Sequence, residues 1–273
     1  MTIPQKPTLP SVLFRYCPAT LQTVANIKEQ CLFFGGVDSF NDPFECALLS
    51  VDAKADPGAL RLLREHYADL QAIPESVRSA VREMEDEAFA AMMTKTAKES
   101  VSIAKRNFIE RRGVVCFSER NENLLMWSHY ASGGAGLCLE FDTAHEMFRS
   151  AFKVQYSEKP LQLDALSVVT SSICTKTAFW IEEMYCTKPS DWSYEREWRV
   201  IHQIRGTKFT YPQQMLKSVY FGPRCALPFI EVVCLTLQGQ NPSVQFWRGS
   251  MSRDAYAVVF EPFDYVPFVR EKE

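Results

Sequence analysis

The sequence predicts an α+β protein, a mixed and mainly antiparallel sheet with helices and one helical insertion. Three observations lead there. Short runs rich in Val, Phe, Tyr and Cys, bounded by turn residues, alternate irregularly with helical patterns over 273 residues. A block at about 56–112 changes character and becomes long, charged and helical. Hydrophobic residues make up 47% and aromatic residues 12%, enough to bury a sizeable core, so the chain reads as a single domain over 1–273 that carries this insertion.

Residues 1–10 hold three prolines and read as a loose arm. "SVLFRYC" is a strand broken by Pro18, and Thr20 opens a short helix through "TLQTVANIKEQ". "CLFFGG" is a second strand closed by Gly35 and Gly36, and Asn41-Asp42-Pro43 marks a turn in the loop that follows. In the insertion, Asp56-Pro57 starts a helix to about Leu70 with proline at the first helical position. After Pro74 a charged helical stretch runs to Gly113.

Beyond it, "VVCFS" is a strand, "ENLLMWSHYA" a helix and "GAGLCLEF" a strand. Thr143 and Glu146 have the spacing of a capping box, "KVQYS" is a strand, and a helix is expected over Leu161 to Cys186. "YEREWRVIHQI", "KSVYFG", "SVQFWR" and "YAVVFEPF" supply further strands, with a helix around Ala226 to Leu237.

The balance of 30 basic and 33 acidic residues argues against a generally basic nucleic-acid binder and leaves room only for a local basic groove. Nine cysteines, none paired at C-x-x-C spacing and most inside apolar runs, read as reduced, mostly buried thiols. That usage, with no secretory signal and no apolar run of membrane-spanning length, leads to the expectation of a cytoplasmic protein that does not engage a membrane. His129 is one of four histidines, none at ligand spacing with another, so no metal is expected.

"SDWSYEREWRVI", residues 190–201, carries the chemistry that stands out. As a strand, it places Glu195, Glu197 and Arg199 on one face, with Tyr194, Arg196 and Trp198 on the other. Two readings are open. The charges protect a solvated edge strand, or the Glu-x-Glu pair acts at an anomeric carbon, one carboxylate stabilising an oxocarbenium-like centre while the other orients the nucleophile. Arg15, in the apolar strand "LFRYC", either packs its stem or binds an anion. "SGGAG" is a tight helix-to-strand connection or a weak phosphate cradle, and "FNDPFE" a turn or a site for Asn41 and Asp42.

The blocks "LFRYCP", "FNDPFE", "VVCFSERNENLLMWSHYASGGAGLCLEFD", "VQYS" and "KPSDWSYEREWRVI" resemble, in order and spacing, a bacterial family described as domain of unknown function 2971. More distantly, an arginine on an early strand, a serine ending a central strand and a later Glu-x-Glu resemble the Arg-Ser-Glu plan of ADP-ribosyltransferases. That second resemblance implies split sheets and NAD as substrate, cleaved at the nicotinamide–ribose bond, with ADP-ribose passed to a protein or nucleic-acid acceptor, or to water in a simple NAD hydrolase, in bacterial conflict or phage defence. It implies Arg15 as the clamp on the NAD phosphates, Ser118 as support, Glu197 as the catalytic group and Glu195 as the acceptor-side group. Tyr16, Trp127 and Tyr130 are the aromatics expected to stack on nicotinamide. The serine block reads "CFSER", without the family's full Ser-Thr-Ser. The competing expectation is a non-enzymatic sensor or interaction module whose Glu195, Glu197 and Arg199 form surface ion pairs.

Overall fold

The computed structural model describes residues 7–51, 56–175 and 179–266. They form two compact units. One is built from the described parts of Met1–Ser39, Arg112–Tyr156 and Ser190–Glu273, the other from those of Phe40–Arg111 and Ser157–Pro189. The class is α+β with a mainly antiparallel sheet, as the alternation of strand and helix patterns predicts. Of the expected N-terminal arm, residues 1–6 lie outside the described residues, and 7–10 carry no regular element.

The first unit is organised on one eight-stranded sheet. Its strands are β1 (Val12–Cys17), β2 (Gly113–Ser118), β3 (Leu137–Asp142), β4 (Phe152–Lys153), β5 (Glu197–His202), β6 (Leu216–Phe221), β7 (Gln245–Met251) and β8 (Val258–Pro262). They lie in the order β8-β7-β6-β3-β1-β2-β5-β4. Neighbours are antiparallel except β6 and β7, which run parallel.

Side chains alternate along each strand, so the sheet has two unlike faces. One carries Leu13, Phe117, Leu139, Trp198 and Val200 into the main core. The helices Leu21–Lys28 and Leu227–Gln238 cover it with Ile27, Ile230, Val233 and Leu237. On the other face Tyr16, Cys138 and Val258 meet Met126 and Trp127 from the helix Leu124–Tyr130. Each large apolar side chain so buried contributes roughly 1.5–3 kcal/mol of transfer free energy. Local chemistry starts the helices where expected. Thr20 Oγ1 accepts from the Thr23 N–H at 3.2 Å, and Asn123 Oδ1 accepts from the Leu125 and Met126 N–H groups at 2.9 and 3.2 Å.

"SGGAG" resolves as a connection. Gly133 and Gly134 have φ of +63° and +86°, and a Cβ on Gly136 would stand 2.2 Å from the Cys17 carbonyl oxygen. Its backbone groups are consumed by the fold, since the Gly136 carbonyl accepts from Gly222 N–H and the Gly134 carbonyl from Arg224 N–H. In "FNDPFE", Asp42 Oδ1 accepts from the Phe44 N–H at 2.9 Å, a local turn bond.

The second unit holds the helices Pro57–Asp69, Glu75–Glu83, Asp86–Arg111, Ala165–Thr175 and Phe179–Tyr185, with Leu48–Val51 pairing in parallel with Leu161–Asp164. The helices expected at about 56–112 therefore share this unit with Ser157–Pro189. Asp56 caps the first by accepting from the Ala59 N–H at 2.9 Å. Arg64 ties the next two together, donating to the carbonyls of Val81 and Met84, both at 2.7 Å, and to Asp86 at 2.8 Å.

Three local expectations are corrected. The run expected as one helix over Leu161 to Cys186 opens as the strand Leu161–Asp164, because Asp164 turns to cap the following helix with bonds from the Leu166 and Ser167 N–H groups. Residues 176–178 of that run lie outside the described residues. Thr143 is not the first member of a capping box: its hydroxyl donates to the Pro10 carbonyl, and His145 Nδ1 accepts from the Met147 N–H at 3.2 Å to open a 3₁₀ turn, Glu146–Ser150. "KVQYS" is divided between β4 and a separate strand, Gln155–Ser157.

Eight described cysteines are free thiols, and the Cys174 side chain lies outside the described residues. Burial pushes Cys225 to about 11 and Cys234 to about 12, and holds Cys138 well above the ordinary thiol range. These thiols therefore stay protonated and poorly nucleophilic. Among the described residues, no helix is long and apolar enough to cross a membrane.

Candidate functional site

The segment "SDWSYEREW" does not run straight into its strand. Ser190–Glu195 is a 3₁₀ turn, Arg196 takes a left-handed conformation at φ +45°, and β5 begins only at Glu197. The expected strand alternation from Tyr194 onward is corrected accordingly. Glu195 and Glu197 are placed by a kink rather than by the two-residue repeat of a strand.

Several bonds hold the kink. Ser118 Oγ, at the end of β2, donates to the Glu195 carbonyl at 2.7 Å, and the Glu119 N–H donates to the Arg196 carbonyl at 3.2 Å. Across β5, the Glu197 N–H donates to the Tyr156 hydroxyl oxygen at 2.8 Å, and the Val154 N–H donates to the Glu197 carbonyl at 2.9 Å.

The charges are inside, not on a solvated edge. Glu195 is 2% exposed, Glu197 5% and Arg199 0%. The edge reading fails because β5 pairs with β2 along its whole length and with β4 at Trp198 and Arg199. Arg199 donates from Nε to Glu197 Oε1 at 2.8 Å and from Nη2 to Oε2 at 3.0 Å, a fork-to-fork pair. Tyr130 donates its hydroxyl proton to Glu195 Oε1 at 2.5 Å. Burial first, then the Glu197 and Glu195 charges, raise the Tyr156 hydroxyl well above its ordinary range, outweighing the Glu197 N–H bond and Arg199, which act the other way. Tyr156 thus stays protonated beside the carboxylates.

A half-buried aromatic group stands close by. Trp192 and Tyr194 come from the 3₁₀ turn and meet the exposed His129 ring, with centroids 6.0–6.3 Å apart. His129 also stands 6.2 Å from the Tyr130 ring.

Strand register decides which of the other expected residues join this group. Ser118 pairs with Phe14 on one side and with Glu197 on the other, so these three share a face of the sheet. Arg15, one residue along from Phe14, pairs with Leu139 and falls on the opposite, main-core face. Arg15 and Glu197 are close along the sheet, two strand spacings or about 10 Å, but the sheet stands between their side chains. The expectation of Arg15 as a clamp in one site with Glu197 is corrected on that ground.

Tyr16 and Trp127 are on the Glu197 face but committed to packing. They are 8% and 2% exposed, in edge contact at 5.2 Å, with the Tyr16 hydroxyl donating to the Arg120 carbonyl and Trp127 Nε1 to the Asn121 carbonyl. Neither presents an open ring for stacking. Of the three aromatics expected, only Tyr130 reaches a carboxylate.

Sequence reasoning missed Tyr156, Trp192 and Tyr194. The last two lie inside the segment singled out, but its S-x-W-x-Y alternation has the period of a strand and gives no local sign of the 3₁₀ turn that carries them. Tyr156 has no local signal; only tertiary pairing delivers it.

Residues 126–200 match the family model described as a protein of unknown function, DUF2971. The DUF2971 match begins one residue before Trp127 and ends one after Arg199, so it takes in Tyr130, Tyr156, Glu195, Glu197 and Arg199, while Arg15 and Ser118 precede it. No curated protein and no solved structure matches the chain. The matched segment thus contains the buried charge cluster itself, although the serine that pins the Glu195 carbonyl lies outside it.

Proposed function

We propose that the Glu195–Glu197 cluster is the reactive centre of an ADP-ribosyltransferase-like enzyme that cleaves NAD at the nicotinamide–ribose bond. The observation that carries this reading is the placement of two carboxylates on either side of the left-handed Arg196, both buried, both acting on Tyr156 and each hydrogen-bonded, beside a half-buried aromatic group. When the bond from the ribose anomeric carbon to nicotinamide breaks, nicotinamide leaves with the electron pair and positive charge develops on the ribosyl group. A carboxylate held in a low-dielectric site stabilises charge that exists only in that transition state. Glu197 is assigned that role, and Glu195 the acceptance of the proton from the attacking hydroxyl of a macromolecule or of water. Trp192, Tyr194 and Tyr130 offer rings for nicotinamide, and the exposed Arg120 and Arg196 are cations at this end of the sheet suited to a diphosphate. A setting in bacterial conflict or phage defence would follow from such an activity.

The test is incubation with nicotinamide-labelled and adenine-labelled NAD, with and without cell extract, beside Glu197→Gln and Glu195→Gln. The reading requires nicotinamide release by the wild type and its loss, by a hundredfold or more (on the order of 10²–10³ for a transition-state electrostatic group), in at least one variant that stays folded. Wild-type protein that releases no nicotinamide from NAD under any of these conditions overturns it.

One observation favours a second reading. Both oxygens of Glu197 are engaged by the Arg199 fork, which is also how a purely structural ion pair closes. On that account the chain is a sensor or interaction module, and the cluster orders the fold around a partner-binding surface. The same assay separates the two, since the module releases no nicotinamide.

A further inference from the structure

The reading above leaves Arg15 unused, on the face of the sheet opposite Glu197. There it borders a cavity of about 250 Å³ between β1, the helix Leu21–Lys28 and the strand Cys31–Phe33, closed at depth by Leu139 and Tyr211. Arg15 is the only formal charge among the lining residues. One bond orients its guanidinium, from Nη1 to the Cys116 carbonyl at 3.1 Å, and Cys17 lies beside it. Among the described residues no carboxylate pairs with it. An arginine half-withdrawn from water, without a counter-charge and next to an open space, has strong unspent affinity for an anion.

The rest of the lining narrows the anion. Ile27, Leu32 and Leu139 are apolar, while Tyr211 is 2% exposed and burial raises its hydroxyl well above the ordinary range, so it remains a neutral donor. At about 250 Å³ the cavity lies at the small end of ligand sites and suits a compact molecule. A single cation suits a monoanion, and its planar fork suits a carboxylate.

We infer that this cavity is a binding site for a compact monocarboxylate with an apolar body, its carboxylate on Arg15 and its hydrocarbon against Ile27, Leu32 and Leu139. The site is independent of the Glu195–Glu197 centre, because the sheet separates the two, and its test does not depend on any catalytic activity.

The experiment is calorimetric titration of the full chain with isovalerate, benzoate and phenylacetate, each beside its neutral amide. At least one acid is expected to bind saturably and at least about tenfold more tightly than its amide, the worth of a charge-assisted hydrogen bond. Arg15→Gln abolishes that preference. Asn26→Trp, which fills the space from the helix side and leaves Arg15 in place, abolishes binding altogether and serves if the first variant does not fold. Tyr130→Phe, on the other face, leaves the affinity unchanged. The proposal is overturned if none of the acids binds better than its amide, if the preference for the acid survives in folded Arg15→Gln, or if binding survives in folded Asn26→Trp.

Discussion

Arg199 donates two near-parallel hydrogen bonds to Glu197, at 2.8 and 3.0 Å, inside a protein where the first side chain is 0% and the second 6% exposed. Both residues belong to β5 and point to the same face, two positions apart, so the pair needs no partner strand to bring it together. Isolating either charge there is costly, because the other has no water to turn to. Arg199→Met is therefore expected to lower stability by roughly 3–5 kcal/mol. The double variant Glu197→Leu, Arg199→Met is expected to recover part of that loss, because it removes both members of the buried pair. Urea unfolding of the three proteins measures both; a single-variant loss below about 1 kcal/mol, the range of exposed pairs, contradicts the buried geometry.

Ser118 acts on this cluster through the backbone. Its hydroxyl donates to the Glu195 carbonyl at 2.7 Å and accepts from the Arg120 N–H at 3.2 Å, at a residue that is 1% exposed. Ser118→Ala leaves a buried carbonyl without its donor, at a cost of about 1–3 kcal/mol. If the NAD-cleaving reading is right, the same variant also slows nicotinamide release, since the kink that presents Glu195 loses a pin. Ser118→Thr, which keeps the hydroxyl, is expected to retain more of both stability and rate. Unfolding curves and the release assay read the two effects separately.

Much of this architecture was legible from residue patterns. "SVLFRYC", "VVCFS", "GLCLEF" and "KSVYFG" alternate clearly enough to place β1, β2, β3 and β6. Thr20 and Asp56 mark helix starts because their side chains compete well for the first free N–H groups. The site was only half legible. Glu195, Glu197, Ser118 and Tyr130 converge, but nothing in "YEREW" announces a left-handed arginine, a conformation that local sequence rarely forces on a non-glycine residue. Arg15 shows the other limit. Its nearness to Ser118 follows from strand order, but the face it points to depends on register, where one residue reverses the answer.

Arg196 gives a direct test of that kink. It sits at φ +45° with its side chain exposed, so its backbone conformation, and not its packing, sets the effect of substitution. Arg196→Gly is expected to stabilise the protein by about 0.5–1 kcal/mol, the relief of a non-glycine residue in the left-handed region. Arg196→Val moves in the opposite direction, because a β-branched residue tolerates that region least. Thermal unfolding of both variants decides it. If both destabilise alike, the arginine side chain is contributing more than its conformation costs.

Glu119 sets a pH dependence at the same end of the sheet. Its Oε1 accepts from Lys153 Nζ at 2.7 Å and from Trp198 Nε1 at 2.8 Å. Burial alone would raise this carboxyl, but those two bonds, with the Lys153 and Arg196 charges, outweigh it and hold the group below the ordinary 4.5. A carboxyl lowered by folding binds its proton more readily when unfolded. Its contribution is therefore fully present above the unfolded value and is lost as the pH falls through the folded one. Because Lys153 and Glu119 keep 36% and 20% side-chain exposure, solvent screening limits that contribution to about 1 kcal/mol or less. Glu119→Gln keeps an oxygen for Trp198 but abolishes the titration. The wild type is expected to be the more stable protein near neutrality, and the gap should close as the pH falls below 4.5. Urea midpoints measured across the acid range check this, and a gap that stays constant would mean that Glu119 stabilises by packing rather than by its charge.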